Sequence, residues 1–447
     1  MGILFGTDGV RGIANKDLTP QLAFELGRAG AFVLSKGNVK PSFVIGKDTR
    51  LSGDMLEGAL IAGICSMGGD VIKLGVMPTP AVAVLTRHFN ADAGIVISAS
   101  HNPAEFNGIK FFNSEGFKLS DAIEQKIEDL IIDKNEYELP IGDKVGRVKE
   151  FNNADEIYVD FLLKSIDGDL TGLKIILDCA NGASYKIAPE VFTRLGAQII
   201  YVGVCPDGIN INHNCGSTHL DLLQEIVLKE GADFGLAFDG DADRLLAVDN
   251  LGRNVDGDKI INIFAHSMKT KGTLKKDTVV ATVMSNLGLD LALNKINCKC
   301  VKTDVGDRYV LETMIRDGYN LGGEQSGHII VLDYNTTGDG LLTAVLLSSI
   351  VKKENITLSQ LSDKMNVYPQ ILVNAKVKNE NKYSYKEDEI INNEIEKIEE
   401  HFHNRGRVLI RPSGTEPLIR VMIEGENQDE LKILAQNLAN LIVERLV

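Results

Sequence analysis

One pattern recurs three times along the chain and constrains its fold more than any other feature. An apolar run is followed by a polar turn, a helix-length segment, a stop and a second apolar run. It begins at Ser42 (SFVIGKDTRLSGDMLEGALIAGICSMGGDVIKLG), at Lys174 (KIILDCANGASYKIAPEVFTRLGAQIIYVG) and at Thr278 (TVVATVMSNLGLDLALNKINCKCVKTD). Each first run is a continuous Val/Ile/Leu stretch, as a strand covered by helices on both faces requires. Each pattern therefore reads as a βαβ unit whose right-handed crossover gives parallel pairing. Successive starts lie more than a hundred residues apart, with charged stretches at 133–149 and 249–258 between them. That spacing favours three separate units over one large doubly wound sheet.

The C-terminal part differs. After Tyr368-Pro369 the chain is polar and rich in Asn, Lys and Glu to about Asn404. GRVLIRPSGTEPLIRVMIEG then reads as two strands around a Pro/Ser/Gly turn. A final helix follows, with Asn427 as N-cap, Glu430 three residues on, and Leu431, Leu434, Leu438, Leu441 and Ile442 as its apolar face. The expected fold is α/β with four domains: 1–152, 153–253, 254–367 and 368–447. The first three are similar α/β domains with mixed, mostly parallel sheets, and the fourth is α+β. A chain of 447 residues has room for that many cores. Tyr368-Pro369 with the polar stretch is the expected hinge for closure by the fourth domain.

Composition narrows the function classes. Hydrophobic residues make up 44% and charged residues 24%, the usual balance of a globular protein. No apolar run reaches the ~18 residues that a membrane-spanning helix needs. The start, MGILFGTDGVRG, has no basic segment followed by a long apolar core and so does not read as a signal peptide. Gly6 stands where a myristoylation signal wants Ser or Thr. A net charge of -15 argues against nucleic-acid and membrane-surface partners, and an anionic ligand needs a local cationic pocket. Cys65, Cys179, Cys205, Cys215, Cys298 and Cys300 form no C-x-x-C pair, which fits reduced thiols in a cytoplasmic protein.

Four polar loops carry the chemistry. SASHNP (98–103) ends an apolar run with two serines and a histidine. The hydrolase elbow G-x-S-x-G fails at both serines, and Ser, Asn and Pro also suit a plain turn. On an extended loop adjacent side chains point apart, so Ser100 and His101 are expected to be poorly placed as a nucleophile–base pair. DGDADR (239–244) sets three carboxylates at alternating positions between apolar strands. Their repulsion is costly without a cation, and all-oxygen ligands suit Mg²⁺ or Ca²⁺. An EF-hand is excluded, because Arg244 and Asn250 stand where it needs Gly and Glu. GGEQSGH (322–328) offers Glu324 and Ser326 to sugar hydroxyls and His328 for proton movement, although a lone histidine in a turn is more often structural. RPSGTEPLIR (411–420) combines Arg411, Ser413, Gly414, Thr415 and Arg420, a set suited to phosphate, against the alternative of a hairpin turn with exposed arginines.

Each loop is ambiguous alone. Together they supply a nucleophile, a cation site, a hydroxyl reader and a phosphate clamp, one in or beside each unit and able to line one central cleft. That combination fits phosphoryl transfer on a sugar phosphate, where catalysis is mostly positioning and charge neutralisation. The four segments, in this order, resemble the α-D-phosphohexomutase superfamily over essentially the whole chain. FGTDGVRG (5–12) and GKDTRLSG (46–53) also match that family. GEQSGH and GININHNCGSTH (208–219) are most similar to the branch that acts on glucosamine phosphates.

The resemblance implies roles residue by residue. Ser100 is the phosphorylated serine. Asp239, Asp241 and Asp243 match the Mg²⁺ ligands, with the phosphoserine oxygen as a further ligand, and Arg244 completes the motif. Glu324 and Ser326 match sugar contacts, and Arg411, Ser413, Gly414, Thr415 and Arg420 match the loop that holds the non-reacting phosphate. Lys110 and Arg11 match basic residues near the transferred group, His328 a proton-transfer residue, and His101 a neighbour that shapes the loop or touches the phosphate. The implied reaction interconverts glucosamine 6-phosphate and glucosamine 1-phosphate, towards UDP-N-acetylglucosamine and cell-wall precursors. It passes through a phosphoserine enzyme, with glucosamine 1,6-bisphosphate (or glucose 1,6-bisphosphate) as intermediate and activator. A mannose or glucose phosphate mutase, a non-catalytic sugar-phosphate binder and a serine hydrolase are the rivals. A homodimer is implied at family level.

Overall fold

The computed structural model describes residues 3–6, 8–35, 40–134, 137–403, 405–413 and 416–446. By contact the chain divides into two compact units, 1–282 with 303–363, and 283–302 with 364–447.

The repeated pattern folds as its spacing predicts. In the first unit the strands Ser42–Lys47 and Asp70–Val76 flank the helix Ser52–Ser66 and pair in parallel. The strands Lys174–Asp178 and Gln198–Val202 do the same around the helix Ile187–Arg194. The third pattern gives the strand Thr278–Thr282, the helix Leu287–Lys295 and the strand Lys299–Thr303.

The first sheet is seven-stranded, in the order Phe5–Gly6, Gly9–Ile13, Phe106–Asn113, Ala93–Ile97, Ser42–Lys47, Asp70–Val76, Val148–Glu150. Its crossover-linked strands are parallel, and the strands from Phe5 to Ile13 and from Phe106 to Asn113 are antiparallel to their neighbours. The second sheet runs Asn254–Val255, Leu245–Asp249, Phe234–Phe238, Lys174–Asp178, Gln198–Val202, and is likewise parallel on one side and antiparallel on the other. In the third domain Leu321–Gly323 pairs in parallel with Thr278–Thr282 and antiparallel with Ile329–Val331. The antiparallel share exceeds what the repeat alone suggests. The reason is that the connections 98–105, 239–244 and 324–328 are short, and short connections join antiparallel strands. Those loops are the ones that carry the chemistry.

Packing follows from the apolar runs. Ala93–Ile97 is buried along its whole length, and Phe43, Ile45, Leu56, Leu60, Ile64, Ile95 and Ile97 join one core. Each such side chain contributes about 1.5–3 kcal/mol by leaving water. The helix Pro20–Leu34 starts with Thr19 accepting from the Leu22 N–H and packs closely on Ser52–Ser66. The contact is tight at Gly63, where a Cβ would come within 2.2 Å of the Phe24 carbonyl oxygen.

The second unit holds a three-stranded antiparallel sheet, in the order Gln370–Lys376, Leu418–Glu424, Arg407–Pro412. The two expected strands, Arg407–Pro412 at one edge and Leu418–Glu424 in the centre, and the final helix, Gln428–Leu446, are present. Asn427 Oδ1 accepts from the N–H groups of Asp429 and Glu430, and Leu431, Leu438 and Ile442 are buried. Gln370–Lys376 and the helix Glu389–Phe402 lie in the stretch read as merely polar. Tyr368 exchanges two hydrogen bonds with the Asn286 side chain (3.0 and 2.9 Å), both residues lying in the second unit.

Candidate active site

The 98–105 loop leaves the end of the buried strand Ala93–Ile97 and re-enters at Phe106–Asn113. Its two serines have different jobs. Ser98 Oγ donates to Asp48 and accepts from the Ser100 N–H at 3.0 Å, so it shapes the turn. Ser100 takes a left-handed backbone conformation (φ 54°) and is 1% exposed. For a non-glycine residue this costs about 1–3 kcal/mol and persists only where its surroundings impose it. Ser100 Oγ donates to Asp239 at 2.6 Å. The expectation that His101 points away from Ser100 is wrong. Because Ser100 is left-handed rather than extended, the strand alternation fails there, and His101 Nδ1 lies 3.3 Å from Ser100 Oγ. Burial, then the cations Arg244 and Arg11, push the His101 imidazole below its usual pKa.

DGDADR joins Phe234–Phe238 to Leu245–Asp249 as an antiparallel connection. Asp239, Asp241 and Asp243 are buried, and one carboxylate oxygen from each lies within 4.8 Å of the others. Asp241 Oδ1 and Asp243 Oδ1 are both buried without a hydrogen-bond partner. Two orphaned anionic oxygens facing a third carboxylate fit a hard divalent cation of the Mg²⁺ kind. Burial, then Asp243 and Asp241, push Asp239 well above the usual carboxylate range. Burial works the same way on Asp243, but His328 and Lys110 outweigh it and hold that group low.

Cations surround this centre. Lys110, on Phe106–Asn113 and 2% exposed, reaches Asp241 Oδ2 at 2.8 Å and Asp8 Oδ2 at 2.9 Å. Burial opposes its charge, yet Asp241 and Asp8 raise its pKa further above the lysine value. Arg11 sits beside Asp8 and donates to the Ala99 carbonyl at 3.4 Å. The Arg244 N–H donates to Asp239 Oδ1 at 3.1 Å, and its buried Nε, without a hydrogen-bond partner, lies 3.8 Å from Asp243 Oδ1.

GGEQSGH connects Leu321–Gly323 to Ile329–Val331. Gly327 needs to be glycine: its φ is +93° and a Cβ would lie 2.3 Å from the Leu245 carbonyl oxygen, against the end of the aspartate loop. His328 is 2% exposed, with Nδ1 3.5 Å from Asp243 and Nε2 3.4 Å from Asp307. The Gly338 N–H donates to Nε2 at 3.1 Å. Burial disfavours the imidazolium, but Asp307 and Asp243 prevail and raise its pKa. Burial also raises Glu324, helped by Asp307, while its Oε1 accepts from the Gly306 N–H. Ser326 Oγ is buried without a partner.

One unit therefore brings together Ser100, His101, Arg11, Lys110, the three aspartates, Arg244, Glu324, Ser326 and His328. The 411–420 segment belongs to the second unit. There Arg411 and Arg420 stand directly opposite each other on paired strands, both exposed. Ser413 Oγ accepts from the Glu416 N–H at 3.1 Å, and buried Lys382 holds the Ser413 carbonyl at 2.6 Å. Gly414 and Thr415 lie outside the described residues.

Sequence reading missed several polar residues here. Asp8 bridges Arg11, Lys110 and Lys118, and Lys118 also pairs with Asp307. Thr79 Oγ1 donates to Asp241 at 2.6 Å. Asp8 lies inside FGTDGVRG, where only Arg11 is given a role. Lys118, Asp307 and Thr79 carry no local signal.

Comparison with known proteins follows this geometry. The phosphoglucomutase/phosphomannomutase α/β/α domains I, II and III match residues 2–138, 156–252 and 256–368, and the family's C-terminal domain matches 372–441. A phosphoglucosamine mutase from a Thermoanaerobacter species is 59% identical, with 100% of both chains covered. A phosphoglucomutase/phosphomannomutase family protein from Burkholderia thailandensis has the same fold, with a TM-score of 0.81 at 24% identity over 98% of this chain and 97% of that one. N-acetylphosphoglucosamine mutase of Aspergillus fumigatus, solved with GlcNAc-6P and magnesium, gives a TM-score of 0.66 at 17% identity over 100% and 96%.

Proposed function

The chain belongs to the phosphoglucomutase/phosphomannomutase family of phosphohexomutases, and from that premise we propose that it interconverts glucosamine 6-phosphate and glucosamine 1-phosphate. The observation that carries the reading is Ser100: a buried hydroxyl at a strand end, 2.6 Å from Asp239 of the three clustered carboxylates and 3.3 Å from His101, with Lys110 on Asp241 of the same cluster and Arg11 on the neighbouring Ala99 carbonyl.

In this reading Ser100 carries a phosphoryl group. The P–Oγ bond breaks as a bond forms between phosphorus and O1 of glucosamine 6-phosphate, and the O1 proton passes to a base. The 1,6-bisphosphate turns over, its 6-phosphoryl group returns to Ser100 Oγ, and O6 recovers a proton. Asp239, Asp241 and Asp243 hold a Mg²⁺ ion, which offsets the negative charge gathered around the transferred group. Lys110 and Arg244 neutralise charge from either side, and Arg11 sits beside the nucleophile loop. Accepting from Gly338 at Nε2 places the proton of neutral His328 on Nδ1, beside Asp243, and Asp307 and Asp243 raise the pKa of the ring, which suits a group that moves a proton. Glu324 and Ser326 read sugar hydroxyls. Arg411, Ser413, Gly414, Thr415 and Arg420 hold the other phosphate, and the exposed like-charged pair Arg411/Arg420 is the kind of arrangement an anion relieves.

The same reading includes domain boundaries at 152/153, 253/254 and 367/368, a homodimer and a cytoplasmic setting. Among the described residues no helix is long and apolar enough to cross a membrane. A coupled assay on glucosamine, glucose and mannose 6-phosphates with Mg²⁺ and a trace of bisphosphate tests the substrate. Glucosamine 6-phosphate is expected to turn over fastest. Equal or faster turnover of mannose 6-phosphate would contradict the assignment.

A further inference from the structure

We infer that Asn212 and Arg50 are positioning residues that hold the nucleophile in its reactive pose by clamping two main-chain carbonyls of its loop. Arg50 Nη2 donates to the Ser100 carbonyl at 3.1 Å and to the Asn102 carbonyl at 2.6 Å. Asn212 Nδ2 donates to the same two carbonyls at 3.0 and 3.1 Å. Two donors thus share two acceptors around the left-handed Ser100. Both donors are buried, Arg50 at 3% exposure and Asn212 at 7%.

Each donor is itself held. Asp48 takes the Arg50 guanidinium and the Arg50 N–H, and also the hydroxyl of Ser98, which in turn accepts from the Ser100 N–H. Ser100 is therefore gripped at its N–H and its carbonyl through one network, leaving only its hydroxyl to point at Asp239. Asn212 comes from the long connection after Gln198–Val202, and its N–H is fixed on the Ala180 carbonyl at 2.9 Å. The aspartate loop closes the arrangement. A Cβ at Gly240 would lie 2.6 Å from the Ser100 carbonyl oxygen and 2.8 Å from Asn212 Nδ2. Nucleophile loop, clamp and aspartate loop meet at one carbonyl oxygen, so the Ser100-to-Asp239 distance depends on Asn212, a residue that touches no reacting atom. Misplacement of a reacting group by about 1 Å costs on the order of a hundredfold in rate.

The inference rests on Ser100 being the phosphoryl carrier, and the test separates the two. Asn212→Ala, Asn212→Asp and Arg50→Lys are compared with the parent chain for kcat, KM, melting temperature and loss of phosphate from Ser100 by intact mass. Asn212→Ala is expected to lower kcat about ten- to a hundredfold, to leave KM within about twofold and to speed phosphate loss. Asn212→Asp keeps the shape but turns an oxygen toward both carbonyls, and should lower kcat further. Arg50→Lys retains a donor and should recover part of the rate. Unchanged kcat in both Asn212 variants would overturn the clamp. So would activity lost only in proportion to the folded fraction, because that describes a scaffold residue. If the parent chain never carries phosphate at Ser100, or Ser100→Ala remains active, the carrier assignment fails first and the clamp loses its purpose with it.

Discussion

At the residue scale the two serines of SASHNP are not interchangeable. Ser100→Ala is expected to abolish turnover. Ser98→Ala should still be phosphorylated at Ser100, but with stability lowered by about 1–3 kcal/mol, because the buried Ser100 N–H loses its acceptor. Thermal melts and intact mass of the two variants check this, and an inactive, unphosphorylated Ser98→Ala protein of normal stability would reverse the assignment. Gly327→Ala forces a Cβ onto the Leu245 carbonyl at φ +93°, so it should cost at least about 1–3 kcal/mol in the same melts. The cluster of three aspartates was legible in the sequence because its signal is local, alternating carboxylates between apolar runs, whereas Ser100 was singled out only by the family resemblance. Arg50, Asn212 and Asp8 lie in segments that resemble the family as wholes, with nothing to single out these residues, and Lys118 and Asp307 carry no local signal because their partners lie far along the chain. The His101 geometry was misread for a different reason. The alternation rule assumes an extended residue, and Ser100 is not one.

At the element scale the βαβ units announce themselves, since a strand covered on both faces must be a continuous apolar run. Gln370–Lys376 does not, because an edge strand alternates between exposed and half-buried residues and contains Gln, Asn and Lys. The helix Glu389–Phe402 was hidden the same way, with only Ile391, Ile398 and Phe402 buried. Two consequences belong to this scale. Arg411 and Arg420 face each other across the Arg407–Pro412/Leu418–Glu424 hairpin. Removing either with Ala should raise KM about ten- to a hundredfold, as losing a charge-assisted hydrogen bond to phosphate does, while leaving Ser100 phosphorylation intact. An unchanged KM would remove the hairpin from the site. The second concerns the helices Asp121–Ile132 and Asp307–Asp317, joined where Arg308 meets Glu124 at 3.2 Å. Burial, with some help from Asp121 and against Arg308, pushes Glu124 up to about 7. A carboxyl whose folded pKa is raised gives stability that is fully present below about 4.5 and is lost as pH rises through about 7. Glu124→Gln should therefore flatten the fall in melting temperature between roughly pH 5 and pH 8. A variant with the parent's slope would show that Glu124 does not titrate there.

At the scale of the whole molecule, the repeat and the four loops in order were enough to reach the architecture. The division into two compact units was not legible, because 283–302 sits inside the third repeat and yet groups with 364–447. Such a chain should not unfold as one two-state body: calorimetry is expected to show overlapping transitions, and one transition with equal calorimetric and van't Hoff enthalpies would contradict the division. With a net charge of -15, anion binding falls to local clusters of cations, so loss of the buried Lys110 should be felt more than a change of surface charge away from those clusters. The central claim is that one serine carries the phosphoryl group between the two ends of the sugar. Intact mass of the purified chain, loaded with glucosamine 1,6-bisphosphate and then chased with glucosamine 6-phosphate, tests it most directly. The expected result is one phosphate on Ser100 that leaves during the chase as bisphosphate forms and returns as glucosamine 1-phosphate appears. A chain that turns over substrate while Ser100 stays unmodified throughout would contradict it.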